Sequence, residues 1–199
     1  LFDTLKIYLA RKNNFKTVEQ LELVFIKKLL NCNKIEHKIK GLEELNKIKR
    51  KVGLAYNKEE NKQVAACEKG DLEVYWITYD YLVSWVLNNE ILETIFIESI
   101  HPEMIRRSYP IVSMLVREDK LNKVYLEIIW NNARDAHEDT VRATLELIQK
   151  LAVYLNMGSL QFVFKKVNEI PNTDYDEFLL DFLKDYTFSA MKNYSHRER

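Results

Sequence analysis

Glycine and proline are scarce in this sequence, with four glycines and three prolines among 199 residues. Folds rich in β-strands use these residues at their many turns, so the shortage excludes such folds and favours a helical class. The glycines are also scattered along the chain, at Gly41, Gly53, Gly70 and Gly158. Their scatter excludes a glycine-rich loop of the kind that cradles phosphates.

An excess of charge of one sign is lacking as well, because 30 basic and 30 acidic side chains cancel. A neutral chain has no global field that would draw nucleic acid or an anionic membrane surface. No apolar run approaches the roughly 20 residues of a membrane span. Lys27 and Lys28 interrupt even the stretch from Leu21 to Leu30. The N-terminus also lacks the ordered basic and apolar regions of a signal peptide. We therefore expect no membrane partner.

Cysteine is the third scarce residue, since the sequence contains only Cys32 and Cys67. With 47% hydrophobic residues the chain can form a large core without a disulfide, and free buried thiols fit a reducing compartment. We interpret both cysteines as thiols and predict a cytoplasmic protein, with the nucleus as the alternative compartment. The chain begins at Leu1 rather than Met, which suggests a piece cut from a longer protein.

Helical periodicity is what the sequence does contain, and polar or proline residues mark where helices begin. The predicted starts are a capping box of Thr17 and Gln20, then Ile35, Thr78, Pro102, Asn122, His137 to Thr140, Ser159, and a cap at Thr173. In the first helix Leu21, Val24, Phe25 and Leu29 recur at helical spacing. Pro110 lies inside a predicted helix, where a kink is expected because proline lacks the amide hydrogen.

The helix predicted from Ile35 to Val52 has an apolar stripe opposite lysines and glutamates and ends at Gly53. Residues Asn57 to Gln63 then show neither periodicity nor a large apolar side chain. This pattern predicts a mobile loop over residues 57–70. We accordingly predict an N-terminal helical subdomain over residues 1–56. A helical-repeat subdomain is predicted over residues 71–199, either separate from the first or continuous with it.

Regular spacing between helix starts indicates repeats. The starts near Pro102 and Asp139, and those near Lys123 and Leu160, are about 37 residues apart, close to the unit of HEAT and armadillo arrays. The helix from Val141 to Leu155 also carries an unusually wide apolar arc, typical of a helix covered on two sides. We predict an all-α, armadillo/HEAT-like α-solenoid of stacked helical hairpins, with Leu145 and Ile148 both buried.

No pattern of catalytic chemistry is found. His137-Glu138 resembles the start of the HExxH zinc motif, but Val141 occupies the position of the second histidine. Cys32 lies near His37, yet no feature of the sequence activates the thiol, and its apolar context is typical of core. We predict no catalytic residue, no cofactor and no metal site.

Four other features have structural interpretations. The basic run from Lys34 to Lys51 includes glutamates and lacks aromatic residues for base stacking, so a solvated helix face is favoured over a nucleic-acid contact. The aromatic residues Trp76, Trp85, Tyr125 and Trp130 are interpreted as core anchors. The acidic face of the last helix consists of Asp174, Asp176, Glu177, Asp181 and Asp185, and it indicates solvation. Asn193-Tyr194-Ser195 matches a glycosylation acceptor, which has no meaning in a cytosolic protein.

The stretch from Trp85 to Ala152 resembles the helical region of giant ubiquitin-specific proteases of the fat-facets type. The resemblance is carried by the turn from Asn88 to Leu92, by His101 at a helix start, and by Ile129-Trp130 followed by Ala133 and His137-Glu138. Residues Leu160 to Phe164 and Lys38 to Leu45 agree more loosely. The resemblance implies armadillo or HEAT-type repeats outside the peptidase domain, with Trp130 and His137 as structural positions.

In that family the peptidase is marked by a cysteine box with Gly, Asn and Thr before the nucleophile and by a later histidine box. Neither Cys32 nor Cys67 has this context, so no catalytic residue is carried over. The resemblance predicts a non-catalytic scaffold segment of a large cysteine-type deubiquitinase. Its expected partners are proteins: the rest of the parent chain, ubiquitinated substrates or adaptors. The alternative is a free-standing helical-repeat adaptor, or a nucleic-acid-binding protein that uses the helix over residues 34–51.

Overall fold

The computed structural model describes residues 15–60, 76–98, 100–134 and 136–197, and every regular element in these ranges is helical. The chain divides into two compact units between Ile91 and Leu92. This division lies after the predicted loop over residues 57–70, and the predicted boundaries at 56 and 71 remain predictions. None of the helices in the described ranges is long and apolar enough to cross a membrane.

The first unit contains three described helices, α1 (Phe15–Leu30), α2 (Ile35–Glu60) and α3 (Tyr79–Asn88). Helices α1 and α2 pack closely against each other, and α3 packs on α2. Gly41 marks the close approach of α1 and α2, because a Cβ atom there would lie 3.0 Å from the Cβ atom of Leu29. The predicted apolar stripe of α2 is confirmed, since Leu42, Leu45, Ile48 and Val52 are buried.

Two predictions about this unit are wrong. Helix α1 begins at Phe15, so Thr17 lies inside the helix and does not cap it. Helix α2 continues through Gly53 to Glu60, so Gly53 does not end it; a Cβ atom added at Gly53 would meet nothing within 4 Å. Residues 57–60 of the predicted loop are therefore helical, and residues 61–70 lie outside the described residues.

The buried face of α1 also differs from the predicted one. Leu23, Ile26 and Leu30 are buried, whereas Val24 and Phe25 have exposed fractions of 53% and 37%. Helix α1 carries two adjoining apolar stripes, and the contact with α2 selects the one that periodicity alone did not indicate.

The boundary between the units falls in a short helical segment (Ile91–Glu93), which runs on in the second unit as a π-helical turn (Thr94–Glu98). Five helices follow: α4 (Pro102–Arg117), α5 (Lys123–Asn131), α6 (Glu138–Leu151), α7 (Met157–Asn168) and α8 (Glu177–Arg197). Helix α6 packs on α4 at one side and on α8 at another, while α5 packs on α7. Helix α4 is unbroken at Pro110.

The caps in this unit show an internal repeat. The backbone oxygens of His101, His137 and Asp176 each accept from the amide four residues later, at the starts of α4, α6 and α8. Asn122 and Asn156 do the same at the starts of α5 and α7, and each side chain accepts from the amide three residues later. All five helix starts share this backbone bond. Packing then sorts the helices into two alternating classes, because α6 packs on α4 and on α8 while α5 packs on α7, as in stacked helical repeats.

Two predicted starts in this unit need correction. Ser159 does not begin α7, because its amide donates to the side chain of Asn156, which is the cap. Thr173 lies in a 3₁₀ turn, and the Asp176 carboxylate accepts from the amide of Leu179 at 2.7 Å and caps α8 instead. The predicted caps at Thr78, Asn122 and His137 are confirmed.

Candidate functional site

The two histidines singled out at helix starts serve the backbone. His101 Nδ1 accepts from the amide of Glu103 at 3.2 Å, and His137 Nδ1 accepts from the amide of Asp139 at 3.4 Å. Each side chain satisfies one of the amides that lack a partner in the first turn of a helix. Across the described ranges no group of three histidine, cysteine or acidic side chains is placed to hold a metal ion. The chemistry of His101 and His137 in this structure is helix capping.

Cys32 follows α1 and is half-exposed, so its predicted place in the core is wrong. Its Sγ donates to the carbonyl oxygen of Lys28 at 3.2 Å. Carbonyl groups at the C-terminal end of a helix carry partial negative charge, whereas reactive thiolates lie at helix N-termini or beside cations. Cys32 therefore lies at the opposite end of a helix from the position that is typical of reactive thiols. Cys67 lies outside the described residues.

Glutamates on the same helix neutralise part of the basic run in α2. Lys40 and Lys47 approach the Glu44 carboxylate at 3.0 and 2.9 Å. The hydrogen bond to Glu44 raises the pKa of Lys40. Burial acts to raise the pKa of Glu44, but the bonds from Lys47 and Lys40 outweigh it and lower that pKa. Lysines held in this way make a weaker phosphate-binding surface than the count of basic residues suggests.

The aromatic residues predicted as core anchors divide into two groups. Trp130 is buried, with 2% of its surface exposed, and its Nε1 has no hydrogen-bond partner among the described residues. Trp85, Tyr125 and Trp76 are only half-buried. Trp76 has the Tyr81 ring at 4.8 Å and the Lys16 ammonium 4.9 Å from its ring centroid. The Lys16 ammonium thus already covers one face of the Trp76 ring.

Side chains of the second unit connect helices of the same class. Arg106 of α4 approaches Asp139 and Glu146 of α6 at 3.5 and 4.0 Å. Gln149 of α6 donates to Asp185 of α8 at 3.2 Å. These contacts are exposed or partly exposed and add little stability individually. They show which side of each helix faces the next helix of its class.

Further contacts of the same kind join the remaining helices. The Arg142 guanidinium of α6 lies 4.6 Å from the ring centroid of Phe178 in α8. In the other helix class, Lys166 of α7 lies 3.1 Å from Glu127 of α5. Tyr186 of α8 donates to the carbonyl oxygen of Leu160 in α7 at 3.0 Å, and burial raises the pKa of this tyrosine. The acidic face of α8 is thus divided, since Asp176 caps the helix and Asp185 contacts α6.

Two buried asparagines were missed as structural residues. Asn193 donates to the carbonyl oxygens of Ala152 and Leu155 at 3.0 and 2.6 Å, and so fixes the chain after α6. Asn132 donates to the carbonyl oxygen of Phe96 in the π-helical turn at 3.0 Å. The sequence marks Asn193 only as a glycosylation acceptor, but 5% exposure places its amide out of reach of a glycan in the folded chain. The sequence signal for such a buried, hydrogen-bonded asparagine is its position within an apolar helical pattern.

Apolar side chains remain exposed on the last helices of the unit. The exposed fractions are 52% for Phe164 of α7, and 54%, 59% and 66% for Leu180, Phe188 and Met191 of α8. We call these four residues the α7–α8 face. The prediction for the inner helix is confirmed, because Leu145 and Ile148 of α6 are 3% and 1% exposed.

Comparison with known proteins gives one family. Residues 16–182 match the model of the UBP24/USP9X/USP9Y ARM repeat. The chain is 26% identical over 151 residues to the Drosophila melanogaster protein named "Probable ubiquitin carboxyl-terminal hydrolase FAF". It is 26% identical over 156 residues to human ubiquitin carboxyl-terminal hydrolase 9Y, and 23% identical over 156 residues to mouse ubiquitin carboxyl-terminal hydrolase 9X.

These matches are very unequal in coverage. They include 75% to 78% of this chain but only 5% or 6% of the relatives' length. The chain therefore corresponds to a small part of each relative. The match with an ARM-repeat model also agrees with the all-α, armadillo-like solenoid class predicted from helix spacing.

Proposed function

Since the chain belongs to the UBP24/USP9X/USP9Y ARM-repeat family, we propose that it is a non-catalytic scaffold segment of a large deubiquitinase. In this proposal the segment shapes the enzyme or docks its protein substrates and adaptors. The observation that carries the proposal is the family match over residues 16–182, which includes most of the described helices. The parent would remove ubiquitin through a cysteine nucleophile that lies elsewhere in its chain.

Three features of the residues support a non-catalytic role. Cys32 lies at the wrong end of a helix for activation, and His101 and His137 are used as caps. Two pockets among the described residues are also small, holding about 10 and 20 Å³. Pockets that bind small molecules usually measure hundreds of Å³. We propose that the segment binds other proteins. We also propose that it acts in the cytoplasm or the nucleus.

The first test concerns hydrolysis by the segment itself. The isolated 199-residue chain is incubated with a ubiquitin conjugate that releases a dye on cleavage, beside a Cys32→Ser variant. We expect no turnover from either protein, because a cysteine protease needs a nucleophile paired with a base. Turnover that disappears in the Cys32→Ser variant would contradict the non-catalytic role.

The second test separates the two scaffold roles. In the parent enzyme, residues 16–182 are deleted, and cleavage of the small ubiquitin conjugate is compared with cleavage of ubiquitinated protein substrates. A docking role predicts that only the second activity falls, whereas a shaping role predicts that both fall together. Unchanged rates for both substrates would rule out either role.

A further inference from the structure

The α7–α8 face occupies a definite place in the repeat. Arg106 and Arg142 are each the fifth residue after their caps, and each reaches the following helix of the same class. The fifth residue after the α8 cap is Asp181. Gln149, which contacts α8, is the twelfth residue after its cap, and Phe188 is the twelfth in α8. The side of α8 that includes Asp181 and Phe188 is therefore the side on which α4 and α6 meet their neighbours.

Burial at equivalent positions gives the same result. Val116, Ala152 and Met191 are each the fifteenth residue after their caps, with exposed fractions of 8%, 0% and 66%. In the other helix class, Trp130 and Phe164 are each the eighth residue after the cap, with exposed fractions of 2% and 52%. Both classes thus carry large apolar side chains at positions that are covered in the earlier layers and uncovered in the last.

We propose that the α7–α8 face is a layer interface and that a further helical repeat of the same longer polypeptide packs on it. The proposal rests on the proposed function, in which this chain is a segment of a larger protein. The curated relatives leave room for such a repeat, because the chain corresponds to only 5% or 6% of their length. A repeat at the end of an array would instead present a polar outer face.

A second copy of this chain is a poorer occupant. Two α8 helices paired antiparallel about Phe188 would place Lys184 of one copy opposite Lys192 of the other. Like charges directly opposed disfavour that arrangement. A following repeat avoids this pairing, because its helix would run in the same direction and present different residues.

The four methionines of the chain provide the test. Met191 lies on the α7–α8 face, whereas Met157 is 47% exposed as the first residue after the α7 cap. The equivalent residue of α5, Lys123, is exposed although α7 packs on α5, so a further layer should leave Met157 accessible. Met104 and Met114 are fully buried and serve as unreactive references. Hydrogen peroxide converts accessible methionine to its sulfoxide, which peptide mass spectrometry measures residue by residue.

In the full-length polypeptide we expect Met191 to oxidise at least about tenfold more slowly than Met157, as buried thioethers are shielded from the oxidant. In the 199-residue chain the two should react at comparable rates. A Phe164→Asp variant of the full-length protein should raise the Met191 rate and leave the Met157 rate unchanged.

Two outcomes would overturn the proposal. One is equal reactivity of Met191 and Met157 in the full-length polypeptide. The other is protection of Met191 in the 199-residue chain that increases with protein concentration, which would assign the face to a second copy. Neither outcome depends on ubiquitin hydrolysis. The oxidation experiment therefore tests the α7–α8 face, and the activity experiments test the proposed function separately.

Discussion

At the scale of single residues, Ile148 shows how much one buried side chain contributes. It is 1% exposed on α6, between α4 and α8. Ile148→Ala should lower the free energy of unfolding by about 2 to 5 kcal/mol, through lost transfer free energy and the cavity that remains. Glu146→Ala, which removes only a 4.0 Å contact with Arg106, should cost under about 0.5 kcal/mol. Urea unfolding measures both, and equal small losses would mean that α6 is not an inner helix.

Asn193 gives a second prediction at this scale. Its amide donates to two carbonyl oxygens that follow α6, those of Ala152 and Leu155. Asn193→Ala should destabilise the protein by about 1 to 3 kcal/mol, the usual cost of leaving buried polar groups unpaired. Thr187→Ala is the matched control on α8, since its hydroxyl lies on an exposed residue. If thermal unfolding of the two variants shifts equally, the amide is dispensable.

Glu19 predicts a pH dependence. Its carboxylate is buried on α1 and accepts from the amide of Ile77 at 2.7 Å, close to Glu22 of α1 and Lys51 of α2. Burial raises the pKa of Glu19 above 4.5, although hydrogen bonds from Ile77 and Trp76 oppose the shift. The unfolded chain therefore loses this proton first as the pH rises. The contribution of Glu19 to stability is then fully present below about 4.5 and is lost as the pH rises through the folded-state pKa.

A Glu19→Gln variant keeps an acceptor for Ile77 and removes the titration. Its stability relative to the natural protein should increase as the pH rises from about 4 until the folded-state pKa is passed, and then remain constant. Denaturant unfolding at a series of pH values measures the difference. A relative stability that decreases over this interval would show that the pKa is lowered instead. Glu19→Ala, which leaves the Ile77 amide without this acceptor, should be less stable at every pH.

At the scale of the element, the basic run in α2 is the feature with a competing interpretation. Because Glu44 holds Lys40 and Lys47, we expect binding to RNA or duplex DNA at physiological salt to stay at non-specific levels, about 10⁻⁴ to 10⁻⁶ M. Fluorescence anisotropy compares the natural chain with a Lys47→Glu, Lys51→Glu variant. Lys123→Glu with Lys165→Glu changes the net charge equally on exposed positions of the second unit. Submicromolar binding lost only in the first variant would favour the nucleic-acid-binding alternative.

Helix boundaries show what the sequence can and cannot specify at this scale. A polar side chain directly before an apolar period predicted the caps at Thr78, Asn122 and His137, because the acceptor and its amides are close in sequence. The same logic failed at Ser159, which lies three residues after another acceptor, Asn156, and donates to it. At α1 the predicted buried face is wrong for a tertiary reason: packing on α2 decides whether Leu23 or Val24 is buried, and local sequence does not show that contact.

At the scale of the molecule, stacking predicts a gradient of protection within the second unit. Helix α6 is covered by α4 and α8, whereas α8 is covered by α6 and leaves its far side exposed. In arrays of repeats each layer is stabilised by its neighbours, so backbone amides of α6 should exchange with deuterium more slowly than those of α8. Hydrogen exchange with mass spectrometry measures both helices in one sample. Faster exchange in α6 than in α8 would contradict the stacked arrangement.

The fold class was predictable from composition and helix spacing, because few turn-forming residues and a near-constant interval between caps constrain the architecture. The contacts between layers were not. Arg106 and Asp139 lie far apart in sequence, and no local pattern indicates that they meet. The exposed apolar face could not be predicted either, since Phe164 and Met191 satisfy helical periodicity as well as the buried Trp130 and Ala152 do. Only the presence or absence of a neighbouring helix distinguishes the exposed pair from the buried pair.

The unpaired indole of Trp130 makes the second unit optically distinct. Trp76 and Trp85 are half-buried in the first unit, while Trp130 lies buried in the second, and no described residue accepts a hydrogen bond from its Nε1. An indole in such apolar surroundings emits at shorter wavelength than one in contact with water. With Trp76 and Trp85 replaced by phenylalanine, the emission of the chain would report on the second unit alone. The sequence therefore already contains the spectroscopic probe with which the two units can be followed separately.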